Sequence, residues 1–166
     1  MTAAQWIDKL QLQPHPEGGY YREIYRSEEL IAADALPSRY TGSRPFVSLI
    51  HFLLKDEQVS KFHRLKSDEI WHFYTGTPVA LQLLDNTSGH REVILGADTS
   101  EGHTFQTIIR RDTWFGAFMK NTDTSAFALL GCAVAPGFTF DDFELAEREH
   151  LLSRFPQYSH LIHRLT

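Results

Sequence analysis

The chain is short of cysteine, of basic charge and of long apolar runs. Of its 166 residues one is cysteine, Cys132, and a single thiol cannot form an internal disulfide. The fold must therefore be held by its core, and the count points to a reducing compartment. No stretch approaches the roughly 18 apolar residues of a membrane span, and Met1 to Gln13 lacks the charged-then-apolar plan of a secretory signal. These absences predict a cytoplasmic protein without a membrane partner. Lys and Arg number 16 against 21 Asp and Glu, a net charge of -5. No window gathers enough basic residues to neutralise a phosphate backbone, so nucleic acid is not an expected partner. The densest basic pair, Arg110 and Arg111, is broken by Asp112, and Glu144, Glu147, Arg148 and Glu149 alternate as on a solvated helix face.

What is present is aromatic and imidazole: twelve Phe, six Tyr, three Trp and nine His, in a chain that is 42% hydrophobic. At this length a folded chain hides roughly 70% of the surface its unfolded form exposes, which supports one self-sufficient domain over residues 1–166. Ala3 to Leu12 carries Trp6, Ile7 and Leu10 at helical spacing, with Thr2 as cap and Pro14 as stop. The segment PHPEGGYYREIYRS then forces a turn through Pro14, Pro16, Gly18 and Gly19 before a strand from Tyr20 to Arg26. Residues Ser27 to Arg44 show no period and read as a mobile connection with few core contacts. From about 45 to 135 runs a train of short strands: 47–54, 60–65, 69–74, 79–85, 91–95, 104–109, 113–119 and 127–135. Turn residues separate them, at Asn121-Thr122-Asp123 among other places, as an all-β sandwich or barrel requires. FTFDDFELAEREHLLSRFP changes period and reads as a closing helix capped by Asp141 or Asp142 and stopped by Pro156.

The most informative stretch is SKFHRLKSDEIWHFYTG, residues 60–76. Strand alternation puts Lys61, His63 and Leu65 on one face and Glu69, Trp71 and Phe73 on one face of the next strand. A hairpin between them brings His63, Glu69, Lys61 and Trp71 to one inner surface. An imidazole beside a carboxylate takes a proton near neutral pH, and the same pair can ligate a divalent metal. On the preceding strand, Tyr20 and Arg22 share a face. Arg22 and Lys61 suit an anionic group, while Trp71, Trp114 and Phe115 offer flat walls for a ring. A bland reading stands beside each: a hydrogen-bonded pair inside a barrel, barrel-edge residues, and ordinary core aromatics.

Residues 60–76 resemble the first signature of the cupin superfamily, with His63, Glu69 and Gly76 in place. Leu65 stands where that signature has a second His, Glu57 where it has its first Gly, and Phe115 falls where the second signature has a metal-binding His. Together PHPEGGYYREIYRS, SKFHRLKSDEIWHFYTG, DTWFGAF and GCAVAPGFTFDDFELA are similar to a cupin branch labelled predicted sugar epimerases. The resemblance implies a jelly-roll barrel (double-stranded β-helix) with a short N-terminal helix and a C-terminal helix. It also implies a pocket for a small molecule, and a homodimer or higher homo-oligomer. The label rests on a likeness of fold, which does not fix function.

The residues and the resemblance together support three readings. The first is a metal-independent isomerase or epimerase on a sugar or nucleotide sugar, with no cofactor. In it His63 is the base, Glu69 orients it, Tyr20 or Tyr74 returns the proton, and Lys61 or Arg22 holds the developing charge. The second is a non-catalytic module that binds an anionic or sugar-like metabolite. The third is a metal-dependent cupin that keeps His63 and Glu69 and recruits His51, His72 or His103 as substitute ligands.

Overall fold

The computed structural model describes residues 1–121, 123 and 125–166; Thr122 of the expected 121–123 turn lies outside them. The elements in order are α1 (Ala3–Leu10), β1 (Gln13–Pro14), β2 (Tyr20–Arg26), β3 (Leu30–Ile31), β4 (Arg44–Pro45), β5 (Ser48–Lys55), β6 (Val59–Leu65) and β7 (Asp68–Gly76). They continue with β8 (Val79–Asp85), β9 (Gly89–Leu95), β10 (Gln106–Ile109), β11 (Trp114–Met119), β12 (Phe127–Ala135), β13 (Phe143–Leu145), α2 (Arg148–Arg154) and α3 (Ser159–Leu165). Two antiparallel sheets face each other, ordered β1-β2-β5-β12-β7-β10 and β13-β6-β11-β8-β9. The expected strands appear with ends shifted by two residues or fewer. Val, Leu and Phe recur with period two along them, and each run stops at a turn residue.

Alternation sorts side chains into three apolar layers. Phe52, Leu54, Trp71, Phe73, Leu81, Phe115 and Leu130 fill the space between the sheets. Phe62, Leu84 and Trp114 point out of the five-stranded sheet onto Leu151, Phe155, Leu161, Ile162 and Leu165. Each such side chain contributes about 2 kcal/mol by leaving water. The helix α1 is closed by a Thr2–Gln5 capping box and lays Trp6, Ile7 and Leu10 on Leu53 and Leu129 at one corner of the six-stranded sheet.

Two expectations change at the ends. The closing segment is not one helix: Phe143–Leu145 adds a strand to β6, and helix starts only at Arg148, followed by a second one. Asp142 is no cap, for its carboxylate accepts two hydrogen bonds from Arg44, at 2.6 and 2.7 Å, with Lys66 at 3.5 Å. The connection from Ser27 to Arg44 has core contacts after all. Arg44 and Tyr40 are buried, and the Tyr40 hydroxyl bonds the Lys66 carbonyl and the Ser67 hydroxyl at the β6–β7 turn.

The irregularity that matters most for the site is in β6. Ser60 pairs with Ala117 and His63 with Phe115, so β6 takes three steps where β11 takes two. Such a bulge reverses the parity of the residues beyond it. Ser60 and His63 therefore share the inner face, Phe62 points outward, and Lys61 is left exposed in the bulge. Opposite the bulge stands Gly116, where a Cβ would come 3.0 Å from the Ser60 carbonyl oxygen and 3.1 Å from the Phe62 nitrogen. The bulge thus depends on a residue without a side chain.

Candidate active site

The loop between β1 and β2 delivers a carboxylate into the interior. Gly18, at φ 110°, lies so close to β6 that a Cβ would stand 2.2 Å from the Val59 carbonyl oxygen. Only glycine fits there. The extra N–H of the bulge, on Lys61, donates to the Glu17 carbonyl at 2.9 Å, so loop and bulge lock together. The Glu17 side chain, 5% exposed, then meets two groups of β6: His63 Nε2 lies 2.9 Å from Oε2, and the Ser60 hydroxyl donates to Oε1 at 2.8 Å. On its other edge, His63 Nδ1 lies 2.7 Å from the Lys61 carbonyl oxygen.

Both His63 nitrogens thus face oxygens that accept, which favours the doubly protonated ring. Burial alone would neutralise it, but the Glu17 charge and hydrogen bond, the Glu69 charge and the Lys61 carbonyl together raise its pKa. Burial would push Glu17 up, yet the His63 charge and bond, with His15 and Ser60, hold it below the usual carboxylate range. The result is a buried ion pair. Glu69, on β7, behaves otherwise. Burial drives its pKa to about 7, His63 opposing and the Glu17 charge reinforcing. Trp71 Nε1 and the Cys132 thiol are near enough to lower it slightly, but Glu69 Oε2 and Trp71 Nε1 have no hydrogen bond of normal geometry. Burial and the charges of Glu69 and Glu17 keep Cys132 a neutral thiol.

These groups line a cavity of about 450 Å³ between the sheets. Its walls are apolar, from Ile50, Leu65, Val134, Phe138 and Phe143, with His15, Glu17, His63 and Glu69 as its polar corner. Arg26, Glu23 and Gln13 also line it and are exposed. The Arg26 guanidinium is committed to Glu23, at 3.1 Å from Nε, and to the Phe138 carbonyl at 2.9 Å. Hence both cations of the cavity, His63 and Arg26, already have anionic partners.

Of the residues singled out from the sequence, His63 and Glu69 reach the cavity. Phe115 and Trp71 form a core layer behind it: the Phe115 ring lies 4.0 Å from that of His63, and Trp71 meets Phe115 edge-on at 6.1 Å. The other five lie elsewhere. Trp114 points the opposite way, under the C-terminal helices, with Arg64 over its ring at 4.5 Å. Tyr20 packs beneath α1, and Arg22 donates to the Leu10 carbonyl at 3.2 Å and to Gln11. Tyr74 is half-exposed on the outer face, its hydroxyl over Gly131. Lys61 takes part only through its backbone. Parity also runs opposite to expectation along β2, where Tyr21 and Glu23, not Tyr20 and Arg22, face inward. Glu17, Ser60, His15, Tyr21, Glu23, Arg26 and Cys132 are the lining or supporting residues missed. The one signal for them was a carboxylate directly before Gly18-Gly19, in a segment read only as a turn.

The cupin resemblance implies a metal, but the residues here do not fit one. Leu65 and Phe115 supply no donor atom, and both nitrogens of His63 are engaged. Among the described residues no group of three or more His, Cys, Asp or Glu converges as a metal site, where protein sites usually use at least three ligands. His51 and His72 lie on the outer sheet face in register with Gly131, and His103 packs against Gly96, so none joins His63.

A family model described as Cupin superfamily (DUF985) matches residues 4–146. The chain belongs to the cupin superfamily. A crystal structure of a Shewanella oneidensis protein is 37% identical, with a TM-score of 0.88 over 100% of this chain and 98% of that one. A hypothetical protein from Leishmania major is 31% identical, with a TM-score of 0.89 over 100% of this cupin and 99% of its own length. An uncharacterised protein of Saccharomyces cerevisiae is 26% identical across 87% of this chain and 75% of its own. No described helix of this cupin is long and apolar enough to cross a membrane.

Proposed function

We propose that this cupin is an isomerase or epimerase of a small, neutral carbonyl compound, with Glu69 as its proton-transferring group. The observation that carries the reading is the unpartnered Glu69 Oε2, buried in a largely apolar cavity with a pKa of about 7. A group half-ionised at neutral pH is suited to take a proton and return it. Three chargeable groups act on it: Glu17 from the loop, His63 from β6 and Cys132 from β12; His15 lines the same cavity and acts on Glu17 and His63. His63, with both nitrogens bonded, keeps Glu17 ionised and supplies positive charge rather than serving as the base. In the reaction Glu69 Oε2 takes a proton from the carbon beside the carbonyl. The C–H electron pair becomes the C=C of an enolate, and the carbonyl pair moves onto oxygen. Return of the proton to the same carbon from the opposite face of the enolate epimerises; return to the neighbouring carbonyl carbon isomerises, the hydroxyl proton of the first carbon passing to the former carbonyl oxygen as the new C=O forms.

The substrate class follows from charge. With both lining cations paired, the interior has no spare positive group for a phosphate, which favours a neutral sugar-like ketone over a nucleotide sugar. Solvent-deuterium exchange over dihydroxyacetone, D-ribulose and D-fructose tests the reading. The wild-type protein should wash deuterium into the carbon-bound position, with a rate that rises through pH of about 7, and Glu69→Gln should lose about 10³-fold. Ligand-induced thermal stabilisation with no exchange of any ketose would assign the cavity to a binding module instead.

A further inference from the structure

We propose that His15 is a further catalytic residue: its neutral imidazole donates Nε2–H to the carbonyl oxygen of the substrate. The inference rests on the proton-transfer reading and adds the group that receives the charge which that reading creates. Taking a proton from carbon leaves an anion on the carbonyl oxygen, and in a dry cavity that oxygen needs an aimed donor. The charged groups and the Ser60 hydroxyl are already engaged. Both His63 nitrogens are bonded, the Ser60 hydroxyl serves Glu17, and Arg26 is held by Glu23 and the Phe138 carbonyl.

His15 is different. Its side chain is 9% exposed and lines the same cavity. The Glu17 backbone N–H donates to His15 Nδ1 at 3.3 Å, so Nδ1 carries a lone pair and the proton of the neutral ring sits on Nε2. Burial lowers the pKa of the ring and nearby His63 lowers it further, against the Glu17 charge, so the ring is neutral at pH 7. Among the described residues Nε2 has no protein partner. Tyr21 and Phe52 hold the ring edge-on, at 4.5 and 5.9 Å between centroids, which restrains the plane of the imidazole. A neutral imidazole is the better donor here, since it stabilises an oxyanion without giving up its proton fully. One loop thus sets two protonation states: Glu17 makes His63 a cation through its carboxylate and keeps His15 a neutral donor through its N–H.

The test uses glycolohydroxamate, a neutral mimic of an enediolate, and nitrogen NMR of the His15 ring. The expected result is the Nε2–H tautomer from pH 7 to 8, with the Nε2 signal shifted on binding. His15→Phe, which keeps the edge packing, should bind the hydroxamate about 30-fold more weakly, and His15→Gln, which restores a donor, should recover most of that loss. A protonated ring at pH 7, an Nδ1–H tautomer, no binding by the wild-type protein, or equal binding by His15→Phe would each overturn the proposal. So would a loss confined to Tyr21→Phe. A wild-type protein that binds the hydroxamate through His15 yet exchanges no ketose keeps the donor site and overturns the proton-transfer reading alone.

Discussion

Glu17 and Glu69 enter the same cavity from different kinds of backbone. Glu17 comes from a glycine-locked loop pressed against the β6 bulge, and two donors of β6, Ser60 and His63, meet its two oxygens. Glu69 comes from a strand whose alternation merely points it inward, and its Oε2 accepts no hydrogen bond of normal geometry. Both are buried to about the same degree, 5% and 6% exposed. One nevertheless ionises below its ordinary range and the other only near pH 7. Burial raises both carboxyls; at Glu17 the His63 charge and the donors brought to its oxygens outweigh it, and at Glu69 they do not.

The comparison is most strongly tested by Glu17→Ala. It strands the His63 cation and the Ser60 hydroxyl, and should cost about 3 kcal/mol or more in urea unfolding at pH 7. A loss below about 1 kcal/mol would mean that the pair is not an ion pair. Next comes Glu69→Gln followed against pH. In the unfolded chain this carboxyl ionises near its ordinary value of 4.5, in the folded one near 7. The folded state binds the extra proton between those values, so its contribution to stability falls as pH rises, by about 3 kcal/mol in all. The variant lacks that fall and should gain on the wild-type protein by this amount from pH 4 to pH 8. Glu17 and His63 work in other windows. The Glu17 contribution is present above pH 4.5 and is lost as pH falls through its lowered value. That of His63 is complete below 6.5 and fades as pH rises through its raised one. The smallest effect is expected at Lys61→Ala, within about 0.5 kcal/mol and without change in ketose exchange. A larger effect would show that the bulge presents this side chain, not only its backbone, to the site.

The strands and their ends were legible because period-two patterning and turn residues are local properties. His63 and Glu69 were legible for a related reason: beyond the bulge His63 alternates inward with Leu65, and Glu69 alternates inward with Trp71. Lys61 was misplaced because a bulge counts one residue twice, and only the partner strand, with Gly116 opposite, reveals it. Tyr20 and Arg22 were chosen over Tyr21 and Glu23 because the faces of a strand look alike until one knows which side a second sheet covers. Trp114 drew attention as a ring beside a signature position, but its face of β11 belongs to α2 and α3. The C-terminal strand and last helix were missed since three residues pair only where β6 offers a free edge, and SHLIHRL is too short to announce a helix without its apolar seat.

By itself the sequence determined an all-β sandwich or barrel, the order of its strands along the chain and the presence of an acidic and an imidazole side chain at positions 69 and 63. Those follow from residue type and short-range periodicity, which a chain carries before it folds. Tertiary structure alone decided which carboxylate pairs with His63, which group stays neutral, and how the β6 bulge turns Ser60 inward and Lys61 out. Glu17 and His63 are 46 residues apart in the chain, and a pKa depends on the atoms within a few ångströms, which only the packed sheets and the glycine-locked loop assemble.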